Sequence, residues 1–236
     1  MARAPADLSD DPIPEPDRVE GAPHPRETLR LIGQTAAEAA FLEAYRQGRM
    51  PHGWLLTGPR GVGKATLAWR IARFLLATPE EDGGMFAPPP PATLDIPPDH
   101  PVSRRMLALS EPRLFLLRRP WDDKATPPRH RQEITVDEVR RMKSFFNFSA
   151  ADGGRRVAII DAADDLNTAA ANALLKLLEE PPLGVTLLLV SHQPSRLLPT
   201  IRSRCRELRL GPLTAPDMAL ALVAAGGEAD GAVDDE

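Results

Sequence analysis

The segment that most limits what this chain can fold into is Gly58-Pro59-Arg60-Gly61-Val62-Gly63-Lys64, set between the apolar run Trp54–Thr57 and a helical stretch, Ala65–Ala77. Its spacing is G-x-x-x-x-G-K, the pattern of a phosphate-binding loop that joins a strand to a helix. Glycines let the backbone turn tightly and aim successive N–H groups at phosphate oxygens. The helix that follows presents its positive end to the same anion. The candidate nucleotide-binding residues are therefore Gly58, Arg60, Gly61, Val62, Gly63, Lys64, Ala65 and Thr66, with Lys64 reaching the outer phosphates as a point charge. One position departs from the pattern. After the lysine such a loop carries Ser or Thr, whose hydroxyl holds Mg²⁺. Here it is Ala65, which has no oxygen, and the Thr66 hydroxyl is one residue out of register. The loop is able to hold phosphate but lacks a part that hydrolysis uses.

The rest of the chain alternates strands and helices around this loop. Strands are expected at Trp54–Thr57, Leu114–Leu117, Val157–Asp161 and Val185–Val190, with one more near Leu208 and Leu210. Helices are expected over 28–48, 65–77, 135–146, from Asn167 or Thr168 to Glu180, and over 214–225, with a short one at 104–110. The apolar spacing Leu67, Ile71, Phe74, Leu75 supports the second of these. Thr135 with Glu138 has capping-box spacing, and Pro181-Pro182 closes the helix before it. This order predicts an α/β fold, a parallel sheet flanked by helices with the loop at its carboxyl edge. Residues 1–26, rich in Pro and acids, are expected to be disordered or extended. The α/β domain covers 27–211, and 79–131 is expected to be an irregular insertion. A second, helical domain begins within 212–236 and is cut short, with a frayed tail from Gly226.

Composition narrows the functional classes. With 236 residues there is room for one large domain or two small ones, and a net charge of −4 makes the bulk chain no trap for nucleic acid. Any DNA contact would be local or made jointly with partners. A lone cysteine, Cys205, excludes an internal disulfide and a multi-cysteine zinc site and suits a reducing cytoplasm. No apolar run approaches the roughly 18 to 20 residues of a membrane span.

The strand Val157–Asp161 is the natural partner of the loop, because an aspartate at its end can orient the water shell of Mg²⁺. Many ring-forming ATPases follow that aspartate with the glutamate that activates water. Here the next residue is Ala162, which accepts no proton. Asp164 and Asp165 are expected to cap or solvate the turn. Arg118, Arg119, Lys124, Arg129 and Arg131 read as a solvated basic loop, and Phe145, Phe146 and Phe148 as core.

Two further runs carry a resemblance. They are Ala169-Ala170-Ala171-Asn172-Ala173-Leu174-Leu175-Lys176-Leu177-Leu178-Glu179-Glu180-Pro181-Pro182 and the triplet Ser203-Arg204-Cys205. Over roughly residues 26–225 the chain resembles the clamp-loader family of bacterial DNA polymerase III, pentameric AAA+ assemblies. The resemblance implies an AAA+ P-loop NTPase-like domain followed by a small helical lid and, in a full-length subunit, a collar domain that this sequence lacks. Ala65 and Ala162 match the family's stator-like delta-prime type, which keeps the fold without acting as an ATPase. The alternative is an ATP-hydrolysing motor subunit of the gamma/tau type, with Thr66 in place of the missing hydroxyl.

By the same resemblance Arg204 is an arginine finger acting in trans on a neighbouring motor subunit. Without it, Arg204 is one of a basic strip with Arg202, Arg206 and Arg209. Ser191 takes the place of a polar sensor of the terminal phosphate, with His192 next to it, and Cys205 is a packing residue. The implied partners are the gamma/tau motor subunits, the delta subunit and, through the complex, the sliding clamp and primer-template DNA, with no membrane contact. ATP or ADP in the degenerate loop is left open by the residues. The family's zinc module has no counterpart, because 79–131 contains no cysteine, and no other metal is expected.

Overall fold

The computed structural model describes residues 13–78, 90–148 and 154–226. The expectations for residues 1–12, for 79–89 and for the tail beyond Gly226 lie outside the described residues.

Five strands form one parallel sheet: β1 Gly53–Thr57, β2 Leu114–Leu117, β5 Arg156–Asp161, β6 Val185–Val190 and β7 Arg206–Arg209, in the spatial order β2-β5-β6-β1-β7. The register pairs Leu55 of β1 with Leu189 on one side and Glu207 on the other, and Ile159 of β5 with Leu188. Every residue of β1 and β6 is buried, because helices cover both faces of the sheet. The period of two along each strand then sorts side chains between two cores. Val157, Ile159, Leu188 and Val190 face one side, packed with Phe41 of α1 (Thr35–Arg46), with Ile71 and Phe74 of α2 (Lys64–Ala77), and with Met106 of α3 (Pro101–Leu107). Ala158, Ile160, Leu187 and Leu189 face the other, with Met142 and Phe146 of α4 (Val136–Phe148) and Leu174 of α5 (Thr168–Glu179). This is the expected α/β architecture, a parallel sheet flanked by helices, with the loop at the carboxyl edge between β1 and α2.

Local signals set the helix ends. The Asn167 side chain accepts from the Ala170 N–H at 2.9 Å and starts α5. Glu138 reaches back to the Thr135 N–H at 2.8 Å, half of the expected capping box. Pro199 opens the short α6 (Pro199–Arg202), and Thr214 caps α7 (Ala215–Ala224).

Three expectations need correction. The helix expected from residue 28 begins at Thr35, because Gly33 turns with φ of 71° and Gln34 uses its side chain elsewhere. The loop 118–131 contains an antiparallel pair, β3 Trp121–Asp122 with β4 Arg129–His130, held by an edge-on contact between the Trp121 and His130 rings at 4.9 Å. Residues 13–26, expected to be disordered or extended, are tied down by charge. Arg70 and Arg73 of α2 are 6% and 3% exposed; Arg70 donates to the Leu29 carbonyl and Arg73 to the Arg26 carbonyl, the latter at 2.7 Å. His24 is fully buried against Trp69, and the His130 ring donates to the Pro14 carbonyl at 2.7 Å. Buried cations demand partners, and the arm supplies them.

The sheet core carries the stability. Leu188→Ala, at a side chain with no exposed surface, should lower the unfolding free energy measured in urea by about 2–5 kcal/mol. Leu183→Ala, 95% exposed, should leave it within about 0.5 kcal/mol.

Candidate nucleotide-binding cleft and arginine loop

The loop leaves β1 beneath the end of β7. At Gly58 φ is 143°, and a Cβ there would sit 2.3 Å from the Leu210 carbonyl oxygen, so only glycine fits. Gln34 fastens the same corner. Its Nε2 donates to the Gly211 carbonyl at 2.8 Å and to the Val62 carbonyl at 3.3 Å, while its Oε1 accepts from the Gly211 N–H at 3.2 Å. Nothing in the residue pattern marks Gln34 for this part.

A cavity of about 510 Å³ opens in front of the loop. Arg60, Gly61, Gly63, Lys64, Ala65 and Thr66 form its floor, Asp161, Ala162 and Asp165 one flank, and His192 and Arg119 the rim. Pro16, Asp17, Arg18, Val19 and Pro25 of the arm complete its lining. Gly58, Val62 and Ser191, the other residues expected in the site, stand behind this wall: Val62 is 7% exposed and Ser191 has no exposed surface.

Lys64 is 3% exposed, and its ammonium donates to the Gly58 carbonyl at 2.8 Å and to that of Pro59. Burial holds its pKa below the ordinary lysine value, against the opposing pull of Asp161 and Asp164. Burial also pushes the Asp161 carboxyl up to about 7, and the neighbouring charges of Asp17 and Asp165 push the same way. The Asp165 carboxyl is likewise raised by burial, while Arg119, 3.3 Å away, pulls it down.

Asp164, expected to cap or solvate its own turn after β5, instead caps the turn after β6. It accepts from the Ser191 hydroxyl at 2.7 Å and from the main-chain N–H groups of His192 and Gln193. The Ser191 hydroxyl is thus engaged with Asp164, and it is His192, its pKa lowered chiefly by burial, that borders the cavity.

The residues fit a phosphate chain: glycines at 61 and 63 holding φ of 81° and 95°, a buried ammonium, and the N-terminus of α2. They do not fit a directly held Mg²⁺. Ala65 and Ala162 have no side-chain oxygen to offer, and Asp165 is paired with Arg119.

Arg204 lies apart from this cavity, in the turn between α6 and β7. Its guanidinium donates to the Thr200 carbonyl at 3.1 Å and pairs with Glu179 at 2.9 Å, with the two side chains 37% and 42% exposed. That ion pair joins the two runs on which the family resemblance rests. Cys205 turns inward beside Gly53, where burial pushes its thiol up to about 12 and leaves it inert. Arg206 stacks over Trp54 at 5.4 Å. The basic loop is more partnered than expected: Arg118 pairs with Glu15 and Asp17, Arg119 with Asp165, and Arg131 with Asp122.

The raised Asp161 carboxyl has a consequence for stability. Between the ordinary value of 3.8 and about 7 the folded chain keeps a proton that the unfolded chain has lost, so stability falls as pH rises through that window. Asp161→Asn should therefore raise the melting temperature at pH 8 and have a smaller effect at pH 5, as read by thermal denaturation.

A sequence model of the family described as "DNA polymerase III, delta subunit" matches residues 98–214. The delta' subunit of DNA polymerase III from Pseudomonas aeruginosa is 40% identical over 154 residues, 65% of this chain and 41% of that protein. The Escherichia coli K12 delta' subunit is 32% identical over 172 residues, 73% of this chain and 46% of that protein. The gamma/tau subunit of Mycobacterium tuberculosis is 30% identical over 217 residues, 90% of this chain and 33% of that protein. The chain thus spans less than half the length of these relatives. It belongs to the clamp-loader family of DNA polymerase III and resembles that family's delta-prime members.

Proposed function

We propose that this chain is a delta-prime-type subunit of a clamp loader that keeps the nucleotide-switch fold, does not hydrolyse ATP, and lends Arg204 to the motor subunit beside it. The observation that carries the reading is the pairing of two alanines in one cleft. Ala65 and Ala162 line it at the positions where the metal-holding hydroxyl and the water-activating carboxylate of an active site would stand. Lys64 and the glycine cradle remain, so a bound ATP or ADP would be held rather than cleaved. Arg204 supports the second half of the reading. It is exposed, anchored by Glu179 and Thr200, and stands outside its own cleft. A guanidinium so placed can stabilise charge on a phosphoryl group in the next subunit, a contribution worth about 10³–10⁵ in rate where such fingers operate. The partners of this role are gamma/tau and delta subunits and, through the complex, the sliding clamp and primed DNA in the cytoplasm.

The rival reading, an ATP-hydrolysing gamma/tau-type motor, draws on Thr66, which lines the cleft, and on the gamma/tau likeness over 90% of the chain. Turnover separates the two. The purified chain with ATP, Mg²⁺ and primed DNA should show none above background, and turnover abolished by Lys64→Ala would favour the motor. In a complex reconstituted with motor and delta subunits, Arg204→Ala should leave assembly intact and lower ATP hydrolysis. Unchanged hydrolysis would remove the finger assignment.

A further inference from the structure

The arm brings into the cleft a carboxylate that the loop motif does not require. Asp17 lines the same cavity as Lys64 and Asp161 and is gripped from two sides. Arg118 donates to its Oδ1 at 2.8 Å, and the His24 ring nitrogen lies 3.1 Å from its Oδ2. Both grips are fixed in turn: His24 is fully buried, edge-on to Trp69 with ring centroids 5.8 Å apart, and Arg118 directly follows β2. Leu117 pairs with Ile160 in the parallel register, so Arg118, which holds Asp17, leaves β2 at the level where Asp161 ends β5, and Asp17 and Asp161 line the same cavity. In phosphate-loop sites the aspartate after the strand marks the end of the cleft where the β- and γ-phosphates and their metal sit. Asp17 therefore stands at that end.

We propose that Asp17 sets the nucleotide preference of this cleft, its carboxylate standing where a terminal phosphate would go, so that the site accepts a nucleoside diphosphate and disfavours the triphosphate. The inference rests on the reading of the cleft as a retained nucleotide site. Two oxyanions in one desolvated corner repel, and an unfavourable contact built against one ligand discriminates as well as a favourable one built for another. Ala65 adds to the effect, because no hydroxyl at that position recruits a metal ion to screen the terminal phosphate. The inner phosphates are spared: the loop N–H groups and the α2 terminus that would receive them lie on the cradle side, and Lys64 serves the outermost phosphate that either nucleotide presents to it.

Calorimetric titration of the full chain with ADP and with a non-hydrolysable ATP analogue, in Mg²⁺ buffer, tests this. The unaltered chain should bind ADP about tenfold or more tightly than the analogue. Asp17→Asn, which keeps an oxygen for Arg118, should close that gap to about threefold by tightening the analogue while ADP moves little. Asp17→Glu, which keeps the charge, should preserve the gap. Melting curves accompany each variant, and Asp17→Ser supplies the neutral side chain should the Asn variant be unfolded at the assay temperature. Equal affinities in the unaltered chain, or a gap that the neutral variants leave unchanged, would overturn the role of Asp17 alone. Binding of neither nucleotide, with Lys64→Ala behaving identically, would overturn the retained-site reading and this inference with it.

Discussion

Strand β1 is hydrogen-bonded on both sides by parallel partners, and that double pairing determines where the phosphate loop and its nearest neighbours lie. β6 holds it on one flank and β7 on the other. The ladder continues past the strand ends: the Ser191 N–H donates to the Leu56 carbonyl at 2.9 Å, and the Leu210 N–H donates to the Thr57 carbonyl at 2.8 Å. Three loops are thereby gathered at one edge of the sheet, those after β1, β6 and β7. Gly58 must pass under the Leu210 carbonyl with no side chain, and Gln34 then fixes the phosphate loop to the backbone at Gly211. The cradle is shaped by neighbouring main chain as much as by its own sequence.

Much of this was legible in the residues, for physical reasons. A strand buried on both faces reads as an unbroken apolar run, and Val185–Val190 is found with those limits. The phosphate loop announces itself because its glycines answer a backbone requirement that no other residue meets. The arm was not legible. A low-hydrophobicity stretch rich in Pro and acids carries no periodic signal, and the cations that order it, Arg70 and Arg73, are hidden in a helix whose pattern is otherwise apolar. The β3–β4 pair is two residues long on each side, too short for alternation to register. Ser191 shows a different limit. Sequence places a hydroxyl at the end of β6, but its direction is decided by Asp164, brought from another loop.

Electrostatics in the cleft follows from burial more than from charge count. Lys64 is held below its ordinary pKa and Asp161 above its own, each chiefly by loss of water, so burial disfavours the charged form of both. Asp17, Asp164 and Asp165 are each engaged with cations or N–H groups of the protein itself. Such a site is arranged to keep its shape, in line with the proposed loss of its own hydrolysis. Arg204 is treated differently: it is left at the surface, with a partner in Glu179 that is itself 42% exposed and so easily exchanged.

The two margins of the sheet are finished in opposite ways. At β2 the residues Ile13, Pro14 and Pro16 of the arm stand across a cavity from Phe115, Leu116 and Leu117, and prolines have no N–H to offer a strand beside them. At β7 the margin is four residues long and reads Arg-Glu-Leu-Arg, exposed at all but Leu208. Prolines opposite one border and a short, charged strand at the other are devices by which a sheet discourages a sixth ribbon from joining it.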